Sequence, residues 1–153
     1  MSSVRENAVR IETASAPDLE SIRRLLESAD LPHVDLPPAC LEMFLCAKSG
    51  EDLVGVIGLE AYEQMGLVRS LAVAPSHRGR GIASSLLAEA ETLARRHGMR
   101  TLYGLTETIE PLLLRRGYRR VARDEAPEAI RETAEFRTLC PMTAVLLTKT
   151  LAG

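Results

Sequence analysis

The chain has 153 residues, 46% of them hydrophobic, which is enough to build the core of one domain. With 19 basic and 21 acidic residues the formal charge is −2, so overall charge does not point to nucleic acid or an anionic membrane as a partner. The N-terminus lacks a signal-peptide pattern and no apolar run is long enough to span a bilayer, so we expect a soluble, cytoplasmic protein without a membrane partner.

Patterns in the first third of the chain predict a strand, a helix and an irregular connection. Residues 1–7 are polar, and we expect them to be flexible. Alternating apolar residues over 8–13 predict the first strand. Ser15 has the character of an N-cap for an amphipathic helix that continues to Ala29. Prolines then interrupt residues 32–38, which predicts a connection without regular structure.

The middle of the chain predicts a hairpin, a central strand and a long helix. Residues 43–47 and 53–61 have strand patterns and are joined by a segment rich in turn residues. The apolar run Leu67–Val73 predicts a strand that is buried on both faces. Over residues 82–97 the apolar side chains recur at helical spacing, and Gly98 follows where a helix cap is expected.

The last third predicts strands that alternate with helices. A buried strand over residues 100–106 follows the long helix, and such a βαβ unit should be right-handed with its two strands parallel. The remaining predicted elements are a helix over 109–116, a strand over 118–122, a helix over 127–136 and a closing strand over 143–151.

The connection between the central strand and the long helix is Arg78-Gly79-Arg80-Gly81. Glycines let the backbone approach a ligand closely, and the first N–H groups of a helix carry the positive end of its dipole. Such a helix start binds a phosphate or diphosphate, although the same residues can form an ordinary solvated connection. The flanking strand and helix favour the anion site. A P-loop is excluded because its lysine motif is absent, and a dinucleotide fingerprint would need a third glycine where Ser84 stands.

Over Arg78–Ala83 the chain resembles the signature R/Q-x-x-G-x-G/A of the GNAT family of acetyl-CoA-dependent N-acetyltransferases. The ending Arg115–Tyr118 and the order of the predicted elements are also similar to this family. The resemblance implies one α/β domain over residues 1–153, with a strongly twisted mixed sheet of about six or seven strands and helices on both faces. It also implies acetyl-CoA as the co-substrate, a small amine or amino acid as the acceptor, and no metal.

The same resemblance assigns the cofactor site. In the family, the strand before the signature offers main-chain groups to pantetheine, and one of its N–H groups can form an oxyanion hole. The neighbouring parallel strand diverges to admit the thioester, and Thr106 lies near the end of that strand. The residues implied for acetyl-CoA binding are Leu71, Ala72, Val73, Arg78, Gly79, Arg80, Gly81, Ile82, Ala83, Ser84 and Thr106.

Glu60, near the end of the third predicted strand, is the candidate general base. The acceptor ammonium must lose a proton before it attacks, and a carboxylate can accept that proton. Alternatively, Glu60 is an ordinary glutamate at a solvated strand end. The family often protonates the thiolate with a tyrosine of the short helix, where this chain has Leu112–Leu114. Tyr103 and Tyr118 are nearby, each expected to pack with its hydroxyl at a wet edge, and water can also supply the proton.

Arg69 is a charged residue in an otherwise apolar central strand. Such a residue is costly unless it faces a polar cleft or has an ionic partner. In a cleft, its guanidinium would bind an acceptor carboxylate or a phosphonate-like acid through two hydrogen bonds, which makes it the candidate substrate residue. The alternative is a buried ion pair with an internal glutamate.

Parts of the last third narrow the resemblance. Thr101–Thr106 and Ala126–Arg131 are similar to GNAT proteins encoded in arsenic-resistance operons and to the acetyltransferase domain of glutamate N-acetyltransferases. Both imply an acceptor with an α-amino group and acidic groups, such as glutamate or a glutamate-like arsenical or phosphinate. The glutamate enzymes carry an asparagine and a basic residue where this chain has residues 139–142. Cys140 could bind a metalloid, but a lone cysteine is more often a buried, reduced side chain.

Three functional hypotheses follow. The leading one is N-acetylation of a small amino-acid-like compound, either in detoxification of the arsenic-resistance type or in amino-acid biosynthesis. The second is a catalytically weak acetyl-CoA-binding sensor, suggested by the missing tyrosine. The third, nucleic-acid binding through scattered arginines, is disfavoured by the acids around them and by the 3% aromatic content. In the proline-interrupted stretch, His33, Asp35 and Cys40 either contact the acceptor or belong to an ordinary connection. Exposed strand edges are compatible with a homodimer.

Overall fold

The structure, a computed structural model, describes residues 9–31, 38–106, 108–133 and 144–151. The strands are β1 (Val9–Thr13), β2 (Phe44–Ser49), β3 (Asp52–Tyr62), β4 (Met65–Val73), β5 (Thr101–Thr106), β6 (Arg119–Val121) and β7 (Val145–Thr150). The α-helices are α1 (Leu19–Ser28), α2 (Ile82–Arg96), α3 (Glu110–Arg115) and α4 (Glu128–Arg131). The strands form one sheet in the order β1-β2-β3-β4-β5-β7-β6.

The sheet mixes parallel and antiparallel neighbours. Strands β4 and β5 run parallel and are linked through α2, which confirms the predicted βαβ connection. The pairs β1/β2, β2/β3, β5/β7 and β6/β7 are antiparallel. The predicted α/β class with a mixed sheet is therefore confirmed, with seven strands.

The described residues divide into two compact units, one within Met1–Gly58 and Ser70–Ala90, the other within Leu59–Arg69 and Glu91–Gly153. In the first unit, α1 contributes Ile22, Leu25 and Leu26 to a core that includes Cys46 and Val56 of the sheet. Apolar residues at helical spacing give α1 this buried stripe.

Helix α2 packs in the first unit on the opposite face of the sheet. A Cβ placed at Gly55 would lie 3.1 Å from Leu86 and 3.2 Å from Ile82, both in α2. Because neighbouring strand residues point to opposite faces, Gly55 and Val56 put α2 and α1 on the two sides of β3. The absent side chain at Gly55 thus lets the start of α2 lie close to the sheet.

The second unit has its own aliphatic core. Leu67 of β4, Leu105 of β5 and Leu146 of β7 pack there with Ile130 of α4. Leu113 of α3 is fully buried, and a Cβ placed at Gly104 of β5 would lie 3.3 Å from it. Glycine at this position lets α3 approach β5.

The predicted element ends agree with the observed ones within two residues, with two exceptions. Ser15 is an N-cap as predicted, but of a short 3-10 turn over Ala16–Asp18, and α1 itself begins only at Leu19. The helix predicted over 127–136 is wrong at its end, because α4 stops at Arg131. The Thr133 hydroxyl donates to the Ile130 carbonyl at 2.8 Å, and such a local bond competes with continuation of a helix.

Several predictions fall outside the described residues. These are the flexibility of residues 1–7, the roles of His33 and Asp35, the side chain of Cys40, and residues 139–142 with Cys140. That the chain is one domain over residues 1–153 stays a prediction.

Among the helices of the described part, none has the length and apolar character needed to cross a lipid bilayer.

Candidate functional site

The start of α2 is built by two glycines in the left-handed conformation. Gly79 has a φ of 78° and Gly81 a φ of 79°, values that residues with a Cβ adopt only with strain. A Cβ placed at either glycine would meet nothing within 4 Å. Glycine is therefore required here by the backbone path, and the space in front of both peptide groups is open to a ligand.

The N–H groups at this helix start supply hydrogen-bond donors. The Ser85 N–H donates to the Gly81 carbonyl at 3.0 Å, which is the i to i−4 pattern of an α-helix. The N–H groups of the three residues before it, Ile82, Ala83 and Ser84, belong to the first turn, which has no intrahelical acceptor for them. Together with the helix dipole they form a site for an anion.

The two arginines of the motif have different surroundings. Arg78 is exposed, and its Nε donates to the Val73 carbonyl at 3.1 Å, so it closes the loop between β4 and α2. Arg80 is exposed and lies at an open cavity of about 300 Å³ whose other lining residues are Val9, Ile11, Ile82 and Ser85. Both guanidinium groups belong to the loop before the helix start. Of the two, Arg78 has a hydrogen bond to the main chain of β4.

The strand residues implied for pantetheine lie at the end of β4. Leu71 and Ala72 are buried, with 8% and 7% of their surface exposed. The Val73 carbonyl accepts the bond from Arg78, and the next N–H, that of Ala74, donates to the Val54 carbonyl of β3 at 2.8 Å. Part of this main chain is thus already hydrogen-bonded within the protein.

Ser70 interrupts the regular backbone of β4. It has a φ of 60°, an unusual value for a non-glycine residue in a strand. The parallel register with β5 ends at Val68, opposite Gly104, although β4 continues to Val73. A left-handed residue in a strand bends it and disrupts the ladder, which accounts for the end of regular pairing near this point.

Thr106, the last residue of β5, uses its side chain locally. Its hydroxyl accepts the N–H groups of Thr108 and Ile109, each at 3.0 Å. The residue therefore stabilises the turn that leads into α3. The structure shows Thr106 in this capping role.

In the second unit, Arg69, Glu60 and Tyr62 form one hydrogen-bonded group. Arg69 Nη1 donates to Glu60 Oε2 at 2.6 Å, and the Tyr62 hydroxyl donates to Glu60 Oε1. The Arg69 side chain is 3% exposed, whereas that of Glu60 is 24% exposed. Of the two alternatives that the sequence leaves open for Arg69, the ion pair with a glutamate is present, and its partner is the candidate base.

The electrostatics of this group keep Tyr62 protonated. Burial, and then its hydrogen bond to the Glu60 carboxylate, raise the pKa of the Tyr62 phenol well above its usual value. Tyr62 is therefore a donor to Glu60 over the whole physiological range of pH.

The tyrosines considered as proton donors differ in accessibility. Tyr103 is half-buried, as expected for a ring with its hydroxyl near the surface. The expectation for Tyr118 is wrong, because this residue is 3% exposed and its buried hydroxyl has no hydrogen-bond partner among the described residues. Burial, and then the nearby negative charge of Glu91, raise the pKa of Tyr118. Its proton is therefore not available to a ligand in this structure.

Sequence reasoning missed Tyr62 and Ser70. Tyr62 could have been found, since it stands two residues after Glu60 on one strand and residues at that spacing share a face. Ser70 gave no signal, because the left-handed conformation is usually indicated by glycine or asparagine.

The described residues contain no cluster of three or more histidine, cysteine, aspartate or glutamate side chains that could hold a metal ion. Cys46 is buried, and burial raises the pKa of its thiol to about 12. The thiol is therefore protonated at neutral pH, which makes it a packing residue rather than a nucleophile.

Solved structures of acetyltransferases are similar to this fold. N-acetylglutamate synthase from Neisseria gonorrhoeae, solved with coenzyme A and N-acetyl-glutamate, has a TM-score of 0.83 and 24% identity over 95% of this chain. The match covers 36% of that protein, so this chain corresponds to only part of the synthase. The PaiA N-acetyltransferase from Thermoplasma acidophilum, solved with coenzyme A, has a TM-score of 0.68 and 14% identity over 94% of this chain and 99% of its own.

A third solved structure, a Mycobacterium tuberculosis protein in complex with CoA and NLQ, has a TM-score of 0.76 and 18% identity. It covers 94% of this chain and 99% of its own length. A comparison with curated proteins finds no match. The family model described as the Acetyltransferase (GNAT) family matches residues 6–119, well over half of the sequence. The chain therefore belongs to the GNAT family of acetyltransferases, which transfer an acetyl group from acetyl-CoA to an amine.

Proposed function

We propose that this protein acetylates the amino group of a small acceptor that resembles an amino acid. The observation that carries the proposal is the start of α2, where Gly79 and Gly81 have positive φ angles and open space in front of them. A diphosphate that approaches there meets no side chain of either glycine. The N–H groups of the first helical turn can then donate to its oxygens.

The cofactor residues have distinct roles in this proposal. The diphosphate of acetyl-CoA lies against the peptide groups of residues 79–84, and Arg80 adds positive charge. Arg78 supports the loop through its bond to the Val73 carbonyl. Main-chain groups of Leu71–Val73 that are not bonded within the protein bind pantetheine. Thr106 stays a proposed contact, with its hydroxyl committed to the turn before α3.

Glu60 is the proposed general base. As the ammonium N–H bond breaks, an O–H bond forms on the carboxylate and the nitrogen keeps the electron pair. This pair attacks the thioester carbonyl carbon, the C–S bond breaks, and the CoA thiolate leaves with the bonding electrons. The attacking nitrogen still carries two hydrogens, and it loses the second proton to solvent as the amide forms. A solvent proton converts the thiolate to a thiol, and Glu60 returns its own proton to solvent. Solvent fills this role because α3 carries Leu112–Leu114 and no tyrosine.

An acidic, amino-acid-like acceptor is the best supported class. The synthase from Neisseria gonorrhoeae was solved with N-acetyl-glutamate, and its fold is similar. Glutamate itself and glutamate-like arsenicals or phosphinates are the candidates within this class.

Turnover tests the proposal directly. We expect release of free thiol from acetyl-CoA in the presence of one or more acidic amino acids or their phosphinic or arsinic analogues. Neutral and basic amino acids serve as the comparison panel. Preference for a basic amine would contradict the acceptor class, and absence of turnover with every amine would contradict the enzymatic function.

A matched pair of glycine variants tests the cofactor site. Gly81→Asp places a negative side chain where the diphosphate should lie, and we expect roughly 100-fold weaker acetyl-CoA binding. Gly50→Asp is the control, because Gly50 also has a positive φ and open space but lies in the β2–β3 turn. Calorimetry should show unchanged affinity for the control. Equal affinity in both variants would refute the placement.

A CoA-binding sensor is the second candidate, favoured by the absence of a tyrosine in α3. It predicts the same loss of affinity in Gly81→Asp but no thiol release with any amine. The two experiments together therefore separate an enzyme from a sensor.

A further inference from the structure

The Glu60 carboxylate is held at both of its oxygens. Tyr62, on the same strand, donates to Oε1, and Arg69, on the next strand, donates to Oε2 at 2.6 Å. A carboxylate has about four lone-pair positions, so both oxygens keep capacity for a further hydrogen bond. Two donors from two strands fix the rotation of the carboxylate as well as its position.

Accessibility within the group is unequal. The Arg69 side chain is 3% exposed, and Tyr62 is half-buried. Glu60 is 24% exposed, so it is the member of the pair that keeps appreciable contact with the surroundings. A buried cation behind a partly exposed carboxylate fixes the carboxylate while leaving part of it accessible.

A glutamate at an ordinary strand end would behave differently. Three side-chain torsions of an unrestrained glutamate sample several rotamers, so only a fraction of the molecules would present the carboxylate in the productive one at any moment. Tyr62 restricts the rotation of the Glu60 carboxylate, because its phenol stays protonated and remains a hydrogen-bond donor. The hydroxyl therefore has a use that packing of the ring alone does not explain.

We propose that Tyr62 is a positioning residue for the transfer reaction, which, together with Arg69, holds the Glu60 carboxylate in the orientation that accepts the amine proton. The inference depends on the proposed function only in taking Glu60 as the base. Tyr62 itself touches neither the acceptor nor acetyl-CoA in this mechanism; it acts through Glu60.

A double-mutant cycle tests this role. We expect Tyr62→Phe to lower kcat about tenfold with an unchanged KM for acetyl-CoA, since the base is present but less well oriented. Glu60→Gln should lower kcat by about 100-fold or more. If Tyr62 acts through Glu60, adding Tyr62→Phe to Glu60→Gln lowers kcat no further. A merely structural role would instead give the same factor on both backgrounds, and that result overturns the inference.

Tyr118→Phe is the matched control. It removes a tyrosine hydroxyl from the same unit, but one that has no hydrogen-bond partner among the described residues. We expect its kcat to equal that of the unchanged protein. A loss as large as that of Tyr62→Phe would mean that any tyrosine hydroxyl in this unit matters, which contradicts a specific role.

A spectroscopic measurement at neutral pH gives a readout that needs no turnover. The near-ultraviolet absorbance of Tyr62, taken as the difference from Tyr62→Phe, depends on the acceptor of its hydroxyl. We expect Glu60→Gln to shift this band to shorter wavelength, because an amide is a weaker acceptor than a carboxylate. An unshifted band overturns the contact itself. Absence of turnover in the unchanged protein overturns the proposed function, whereas turnover with additive mutant effects overturns only the role of Tyr62.

Discussion

Two glutamates of the same unit, Glu60 and Glu91, are both paired with cations but with opposite burial. The Glu60 side chain is 24% exposed, and its partner Arg69 is buried. The Glu91 side chain is 3% exposed, and its partners Arg116 and Lys149 are 31% and 21% exposed. In the Glu60 pair the acidic side chain is the more exposed member, and in the Glu91 group the basic side chains are.

The difference in exposure indicates which member of each pair is accessible to a ligand. Glu91 accepts from Lys149 Nζ at 3.1 and 3.2 Å and from Arg116 Nη2 at 3.3 Å. Lys149 also donates to the Arg116 carbonyl at 2.7 Å, so the group joins α2, β7 and the end of α3. A buried acid inside such a junction contributes to folding. An acid on the exposed side of its pair, like Glu60, is accessible to the surroundings.

The largest effect that separates the two glutamates is on catalysis. We expect Glu60→Gln to reduce kcat by roughly 100- to 1000-fold, because an amide cannot accept the amine proton. Its melting temperature should fall as well, because the amide removes the negative charge that pairs with the buried Arg69 guanidinium. Steady-state kinetics and thermal unfolding of the same preparation measure both. Full activity would remove Glu60 as the base.

Glu91→Gln should lower stability without lowering kcat. Loss of a buried charge that pairs with two cations typically costs about 3–5 kcal/mol, and we expect about 3 kcal/mol here because both cations can reach water. Urea unfolding gives this value, and kcat of the folded variant should stay within a factor of about two. A large drop in kcat without loss of stability would contradict a structural role for Glu91.

Arg69→Lys tests the role of the cation that pairs with Glu60. We expect kcat to fall about tenfold while the KM of the acceptor stays the same, because lysine keeps the charge but holds the carboxylate less rigidly. If Arg69 instead binds an acceptor carboxylate, the acceptor KM should rise with kcat retained. The same kinetic series distinguishes the two outcomes.

The smallest expected effect is on stability at high pH. The pKa of Tyr118 is raised in the folded protein by burial and then by Glu91, so its contribution to stability is complete below the unfolded value of about 10 and is lost as pH rises above it. Tyr118→Phe should therefore lose less stability than the unchanged protein above about pH 10. Urea unfolding across this range measures the difference. Parallel curves would show that Tyr118 ionises normally.

The helix start could be predicted from sequence because its information is local. Two glycines stand between an apolar strand pattern and a helical pattern. Few backbone conformations other than a tight strand-to-helix turn fit this arrangement. The family resemblance then supplied the cofactor. The structure agrees with the strand, the helix and the left-handed glycines on which the predicted site depends.

The surroundings of Glu60 could not be predicted in the same way. Glu60 and Arg69 are nine positions apart, and whether they meet depends on how β3 and β4 align, which the two-residue turn between them, with a left-handed Glu63, helps to determine. The sequence therefore left an ion pair and a substrate clamp as alternatives. The acceptor, the cytoplasmic location and the homodimer stay predictions, because each depends on a partner or compartment that no local pattern specifies.

Gly55 is an interior residue that sets the spacing between β3 and α2, the helix whose start is the proposed cofactor site. Its missing side chain sets the height of α2 above the sheet, with Leu86 and Ile82 only 3.1 and 3.2 Å from where a methyl group would stand. An alanine methyl group would crowd both side chains, so that either they or the start of α2 must shift by a few tenths of an ångström. Substitution of Gly55 should therefore weaken binding at the proposed cofactor site, although Gly55 lies in the interior. A mutational survey limited to residues that face a ligand would miss this effect.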